Sequence, residues 1–256
     1  MMNSFQVVFK NVRDFLFLFF VLLQTVVTGL ILLISDGYNS ILHQYQKKYM
    51  YMFFTYILNC KINIKNIDNF NINKHYIIMA NHYTALDYFI LNIIFPSSLT
   101  IVKDDLLTQR KKTNISVKII SLFSRLFFKT GMIFGYVRNN KNSGEQCKKN
   151  ILKNLKNHNI IIFPEGTSSK KGIPKNFKKG LFYLCKDNNI PILPCTIKYS
   201  KDIGLDPPPP MATLRLTDWI GVNATINVLP EILPEKFEDV DTLLNFSFKT
   251  IISNLK

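Results

Sequence analysis

His82 and Asp87 stand five positions apart in Asn81-His82-Tyr83-Thr84-Ala85-Leu86-Asp87, directly after the apolar run Ile77-Ile78-Met79-Ala80. On one continuous helix the two side chains would diverge by about 140°. They meet only if His82 sits on a strand-to-helix turn and Asp87 lies inside the first helical turn. The carboxylate then accepts the imidazole Nδ1–H, fixes the tautomer and leaves Nε2 as a base. Such a pair suits removal of a hydroxyl proton. The same residue types also fit a histidine held beside a helix cap, with Asn81 or Thr84 as the capping side chain.

A second group, Phe163-Pro164-Glu165-Gly166-Thr167, closes the apolar run that begins at Asn159. A Pro-Glu-Gly turn there presents a carboxylate and free backbone N–H groups at the C-terminal end of a strand, where open α/β sheets bind ligands. Those N–H groups suit phosphate or carboxylate. Lys170, Lys171, Lys175, Lys178 and Lys179 follow, and no acidic residue falls between Gly166 and Lys186. A lysine run is often only a solvated face, but beside a strand-end turn it reads as an anion funnel.

These residues need elements to position them. A third apolar run spans Ile190–Ile197. Between the runs, Cys147, Ile151 and Leu155 form one stripe at helical spacing, and Phe177, Leu181 and Leu184 a second. Val240, Leu244, Phe248, Ile251 and Leu255 predict a closing helix. Strand and helix alternate, so the expected fold is α/β, a central and largely parallel sheet flanked by helices. Two edge strands, Thr213–Thr217 and Ala224–Leu229, are expected after the break at Pro207–Pro210.

Phe15 to Ile34 is a stretch of 20 residues without a charge. As a helix it measures about 30 Å, the thickness of a hydrocarbon core. We read it as a retained membrane helix; a hairpin dipping into one leaflet and a buried helix stay open. From about Asn39 to Cys60, Ile41, Tyr45, Tyr49, Met52 and Tyr56 recur at helical spacing, with Lys47 pointing away. That stripe fits a headgroup layer or packing against the rest of the chain equally. The expected organisation is a membrane-anchoring helix or helix pair over 1–60 and an α/β domain over 61–256. The domain would face the cytoplasm from a single span or a monotopic anchor.

Lys and Arg total 32 against 17 Asp and Glu, a net charge of +15, so an anionic partner is expected. With 47% hydrophobic residues, a phospholipid membrane fits that charge better than nucleic acid, and no nucleic-acid module is present. The same composition excludes a disordered chain. Cys60, Cys147, Cys185 and Cys195 form no C-x-x-C pair or zinc spacing, so neither a metal nor a disulfide scaffold is expected. Cys147, Cys185 and Cys195 read as small core residues. Ser168-Ser169 lacks the G-x-S-x-G elbow of a serine hydrolase.

The two motifs, in this order, resemble the glycerolipid acyltransferases of the lysophosphatidic acid acyltransferase type. That family carries N-H-x-x-x-x-D first and F-P-E-G-T later. A chance F-P-E-G-T in a chain this size is on the order of one in ten thousand. Phe134-Gly135-Tyr136-Val137-Arg138 is similar to the family's block ending in a phosphate-binding Arg, and Pro191-Ile192-Leu193-Pro194 to its V-P-I-x-P block. Phe177-Lys178-Lys179-Gly180 resembles the segment that usually follows F-P-E-G-T. The likeness covers about Lys74 to Tyr199.

The resemblance implies that His82 is the general base and Asp87 its orienter. It implies that Arg138 grips the acceptor's phosphate as a bidentate fork, and that Glu165, Gly166 and Thr167 shape the acceptor site. The substrates would be a lysophospholipid and an acyl thioester, acyl-CoA or acyl carrier protein, with no cofactor. The acceptor expected first is 1-acylglycerol 3-phosphate, giving phosphatidic acid. There are two departures. Ser168 stands where the family usually has Arg, with Lys170 or Lys171 left to supply the charge. Gly131 to Arg138 is one residue longer than the common spacing. A lysophospholipid with a larger headgroup is therefore an alternative acceptor. CoA-independent transacylation and, more remotely, an inactive membrane-binding protein are the other readings.

Overall fold

Ile77–Ala80 has no polar residue on either side of its pleat, and all four side chains are buried. A strand apolar on both faces belongs inside a sheet covered on both sides. The computed structural model places it there and describes residues 19, 23, 40–84, 86–95, 97–103, 132–136, 143–169, 174–203 and 219–255. The strands are β1 (Lys61–Lys65), β2 (Ile77–Ala80), β3 (Ser98–Lys103), β4 (Met132–Tyr136), β5 (Asn159–Ile162), β6 (Ile192–Tyr199) and β7 (Asn223–Val228). They form one seven-stranded sheet in the order β1-β7-β6-β2-β5-β3-β4. Every neighbouring pair is parallel except β6 with β7. Five strands thus run one way and the β1/β7 pair runs the other. The helices are α1 (Ser40–Met52), α2 (Leu86–Ile94), α3 (Ser143–Leu155), α4 (Lys179–Asp187) and α5 (Val240–Ser253).

The pleat of β2 divides the core. Ile78 and Ala80 pack with Leu86, Leu91, Phe95 and Phe54 on one face. Ile77 and Met79 pack with Ile160, Phe182, Leu243 and Ile251 on the other. Burying each such aliphatic side chain contributes about 1.5–3 kcal/mol, so β2 is the axis of the fold as well as the approach to His82.

Several expectations shift. Ala224–Leu229 is not an edge. It forms β7, which lies between β6 and β1 in the interior of the sheet. The edge on that side is Lys61-Ile62-Asn63-Ile64-Lys65, mostly exposed, and lysines at its two ends suit an unpaired border. Strand β6 begins at Ile192, because Ile190 closes α4 instead. Asn189 takes a left-handed φ of 48°, and the Ile190 N–H returns to the Cys185 carbonyl at 3.0 Å. Phe177 precedes α4 rather than lying on it, and its ring stacks on Phe182. Thr213–Thr217 and Pro207–Pro210 lie outside the described residues.

Lys47 does not point away from the domain. Its Nζ donates to the Phe95 carbonyl at 2.5 Å and to Ser98 Oγ at 3.4 Å. Phe95 follows α2 directly, where carbonyls lack helical partners, so a hydrogen-bond donor docks there. Burial pushes the amine down to about 7. Tyr45, Tyr49, Met52 and Tyr56 are exposed on the outer side, while Phe54 and Leu58 enter the core. The Phe15–Ile34 segment lies outside the described residues apart from Phe19 and Leu23, both exposed. Among the described residues no helix is long and apolar enough to cross a membrane.

Candidate active site

Strand β2 lies between β5 and β6, and all three run parallel. Their C-terminal ends therefore open at one edge of the sheet. His82 is two residues past the end of β2, Glu165 three past the end of β5, and Tyr199 is the last residue of β6. Adjacency of the three strands gathers residues separated by more than a hundred positions in the chain.

His82 is held through its ring and through its main chain. The ring Nδ1 lies 2.9 Å from Asp87 Oδ2, and the ring stacks on Phe163 at a centroid distance of 4.3 Å. The His82 N–H donates to Glu165 Oε1 at 2.8 Å. Its carbonyl accepts from the Ser169 N–H at 2.7 Å and from Ser169 Oγ at 2.9 Å. The side chain stays 23% exposed, and among the described residues no group bonds Nε2. A histidine fixed on four sides with one ring nitrogen open at a sheet edge is equipped to take a proton from a bound hydroxyl.

Asp87 sits in the first turn of α2, fully buried. Its Oδ2 also accepts from the Tyr83 N–H at 2.5 Å and the Thr84 N–H at 2.9 Å. The helix N-terminus favours a carboxylate at that place. The loop is therefore closed by Asp87 itself. Asn81 has another task. Its Nδ2 donates to the Ile197 carbonyl at 3.0 Å, and its Oδ1 accepts from the Ile197 N–H at 2.8 Å. The side chain thus extends the β2/β6 ladder past Ala80.

Glu165 is buried, and both of its oxygens serve backbone amides: Oε1 that of His82, and Oε2 that of Lys175 at 2.8 Å. Burial raises its carboxyl above the usual range, against the pull of the two amides. Gly166 adopts φ +67°, which a side chain resists. A Cβ there would lie 2.6 Å from Lys178 Nζ, so the Lys178 chain crosses the bare face of the turn. Thr167 is exposed. Arg138, Lys170 and Lys171 lie outside the described residues. Among the described residues no group of three or more His, Cys, Asp or Glu is arranged to hold a metal ion.

The sequence reading did not single out Tyr199, Ser169 or the Phe163 ring for the site. Tyr199 Oη donates to Asp87 Oδ1 at 2.5 Å. Tyr83 Oη donates to Asp202. No local spacing announces these contacts. Their partners come from distant segments of the chain, on the turns and the helix that follow other strands.

The Acyltransferase family model matches residues 61–198, more than half of the chain, and the chain belongs to that family. The resemblance carried by the two motifs agrees with it. Over 194 residues the chain is 28% identical to a Caenorhabditis elegans protein provisionally named 1-acyl-sn-glycerol-3-phosphate acyltransferase acl-1, covering 74% of this chain and 66% of that one. Over 130 residues it is 32% identical to a 1-acyl-sn-glycerol-3-phosphate acyltransferase of Saccharomyces cerevisiae, covering 48% and 39%. The chain spans less than two thirds of the length of these curated relatives. The crystal structure of the 1-acyl-sn-glycerophosphate (LPA) acyltransferase PlsC from Thermotoga maritima superimposes with a TM-score of 0.67 at 13% identity, covering 97% of this chain and 95% of that one. The two share a fold.

Proposed function

We propose that this chain is an O-acyltransferase that moves an acyl group from a thioester, acyl-CoA or acyl carrier protein, to the free hydroxyl of a lysophospholipid. The observation that carries the reading is the His82–Asp87 pair, with Nδ1 held at 2.9 Å and Nε2 open at the sheet edge. The relatives' names favour 1-acyl-sn-glycerol 3-phosphate as the acceptor, giving phosphatidic acid.

His82 Nε2 takes the acceptor's hydroxyl proton as the oxygen attacks the thioester carbonyl carbon. The C–O bond forms, the C–S bond breaks, and the thiolate leaves with the proton returned by the imidazolium. Asp87 keeps Nδ1 protonated so that Nε2 is the accepting atom. Holding acceptor and donor beside that nitrogen supplies proximity. Arg138 is assigned to the acceptor's phosphate, with Lys170 and Lys171 adding positive charge near Gly166 and Thr167. Ser168 in place of the family's usual Arg favours testing larger headgroups as well. The domain is placed against a phospholipid surface by its N-terminal segment, as one span or a monotopic anchor, facing the cytoplasm. The net charge of +15 and the exposed Tyr45, Tyr49 and Tyr56 support that placement.

The test is mass spectrometry of lipids made from labelled acyl-CoA with an array of lyso-lipid acceptors, wild type against His82→Ala. Labelled diacyl product should appear and fall by about 10²–10⁴-fold in the variant. A variant with full activity would remove His82 as the base. Product from zwitterionic acceptors alone would move the acceptor away from the phosphomonoester.

A further inference from the structure

Asp87 divides its two oxygens unequally. Oδ2 accepts from His82 Nδ1, the Tyr83 N–H and the Thr84 N–H. Oδ1 accepts from the Tyr199 hydroxyl, which reaches across from the neighbouring strand β6. Four donors on two oxygens fix the plane of the carboxylate, and among the described residues only the Tyr199 contact resists its rotation from the Oδ1 side. A hydrogen bond to a charged acceptor is stronger and more directional than a neutral one.

We propose that Tyr199 is a positioning residue of this site, setting through Asp87 both the orientation of His82 and the firmness with which its imidazole holds a proton. The proposal rests on the acyl-transfer reading for its kinetic consequence. The Tyr199 hydroxyl disperses the Asp87 charge, so the imidazolium beside it is stabilised less than by a bare carboxylate. That keeps His82 available as a base and speeds return of the proton to the leaving thiolate. Burial and the Asp87 charge push the phenol well above its ordinary range, so it stays a donor throughout the working pH. Among the described residues, the titratable groups around the pair are Glu165 from the turn after β5, Tyr83 with its partner Asp202, and Cys60 from the segment before β1. Each remains in place when the hydroxyl alone is removed.

Tyr199→Phe keeps the ring, which packs against Tyr83 at 6.0 Å, and deletes the donor. Turnover should fall about tenfold, the KM for acceptor and donor should hold, and the acidic limb of the pH–rate profile should move to higher pH. The His82 Nδ1 proton, followed by NMR in the histidine-labelled full chain, should shift in the same variant. Replacing Tyr199 by 3-fluorotyrosine makes a stronger donor and should move the acidic limb the other way; it serves also if the phenylalanine variant fails to fold. A pH profile and an Nδ1 resonance superimposable on wild type, with turnover merely reduced, overturn the proposal and leave acyl transfer standing. A shifted resonance in a chain that transfers no acyl group from any thioester overturns the acyl-transfer reading instead, and with it the kinetic role of Tyr199.

Discussion

The turn after β2 and the turn after β5 each carry one buried carboxylate, and the two are used in opposite ways. Asp87 addresses the imidazole of His82; Glu165 addresses its peptide N–H. In the first turn the acidic group closes its own loop through Tyr83 and Thr84. In the second it reaches out of its loop to join two others, at His82 and Lys175. In the proposed reaction one carboxylate governs the proton, the other the place of the residue that carries it. The two substitutions should therefore fail differently, and kinetics can separate them.

Asp87→Asn is expected to have the largest effect on acyl transfer, a loss of about 10³-fold or more. The amide would present an N–H where the carboxylate accepts Nδ1–H, favouring the wrong tautomer. Single-turnover rates would report it; a rate within tenfold of wild type would end the distinction between the turns. Glu165→Gln comes next. One of its two amide partners would face an NH2 group, at a cost of about 1–3 kcal/mol. A lower melting temperature should accompany a loss of rate across all pH, without displacement of the acidic limb. A displaced limb would mean that Glu165 acts on the imidazole as well.

Gly166→Ala should be milder. Its φ of +67° costs a side chain about 1–2 kcal/mol, and the new methyl would displace Lys178. The expected result is a small stability loss in urea and a raised acceptor KM. Lys47→Met should leave turnover unchanged, because Lys47 docks α1 far from the turns. Its amine is pushed down to about 7 from an ordinary 10.5. Between those values the unfolded chain binds a proton that the native chain releases, so wild-type stability rises with pH across that window. Urea unfolding at pH 7 and pH 9 should show the rise in wild type and lose it in the variant.

Much of this architecture was legible in the residues. β2 and β5 read as strands because burial on both faces leaves unbroken apolar runs, and α3 and α5 because one apolar face repeats every turn. Asp87 could be paired with His82 because a strand-to-helix turn is the only local geometry that joins them. The interior place of β7 was not legible: its cover, β1, alternates isoleucine with lysine and asparagine and does not announce a partner at the far end of the chain. Nor was the inward lysine of α1, since the carbonyl that draws it belongs to another helix. Tyr199 lies 112 positions from Asp87, and a phenol at a strand end carries no spacing signal. What escaped the sequence was set by pairing between distant segments, which periodicity does not encode.

Asn81 shows how narrow such constraints become. Its carboxamide supplies one hydrogen-bond donor to the backbone C=O of Ile197 and one acceptor to its N–H. Aspartate has no N–H to give, serine is too short to span both atoms, and glutamine carries an extra methylene. The chain can bend out of the sheet toward its histidine only because asparagine there impersonates one more rung of backbone.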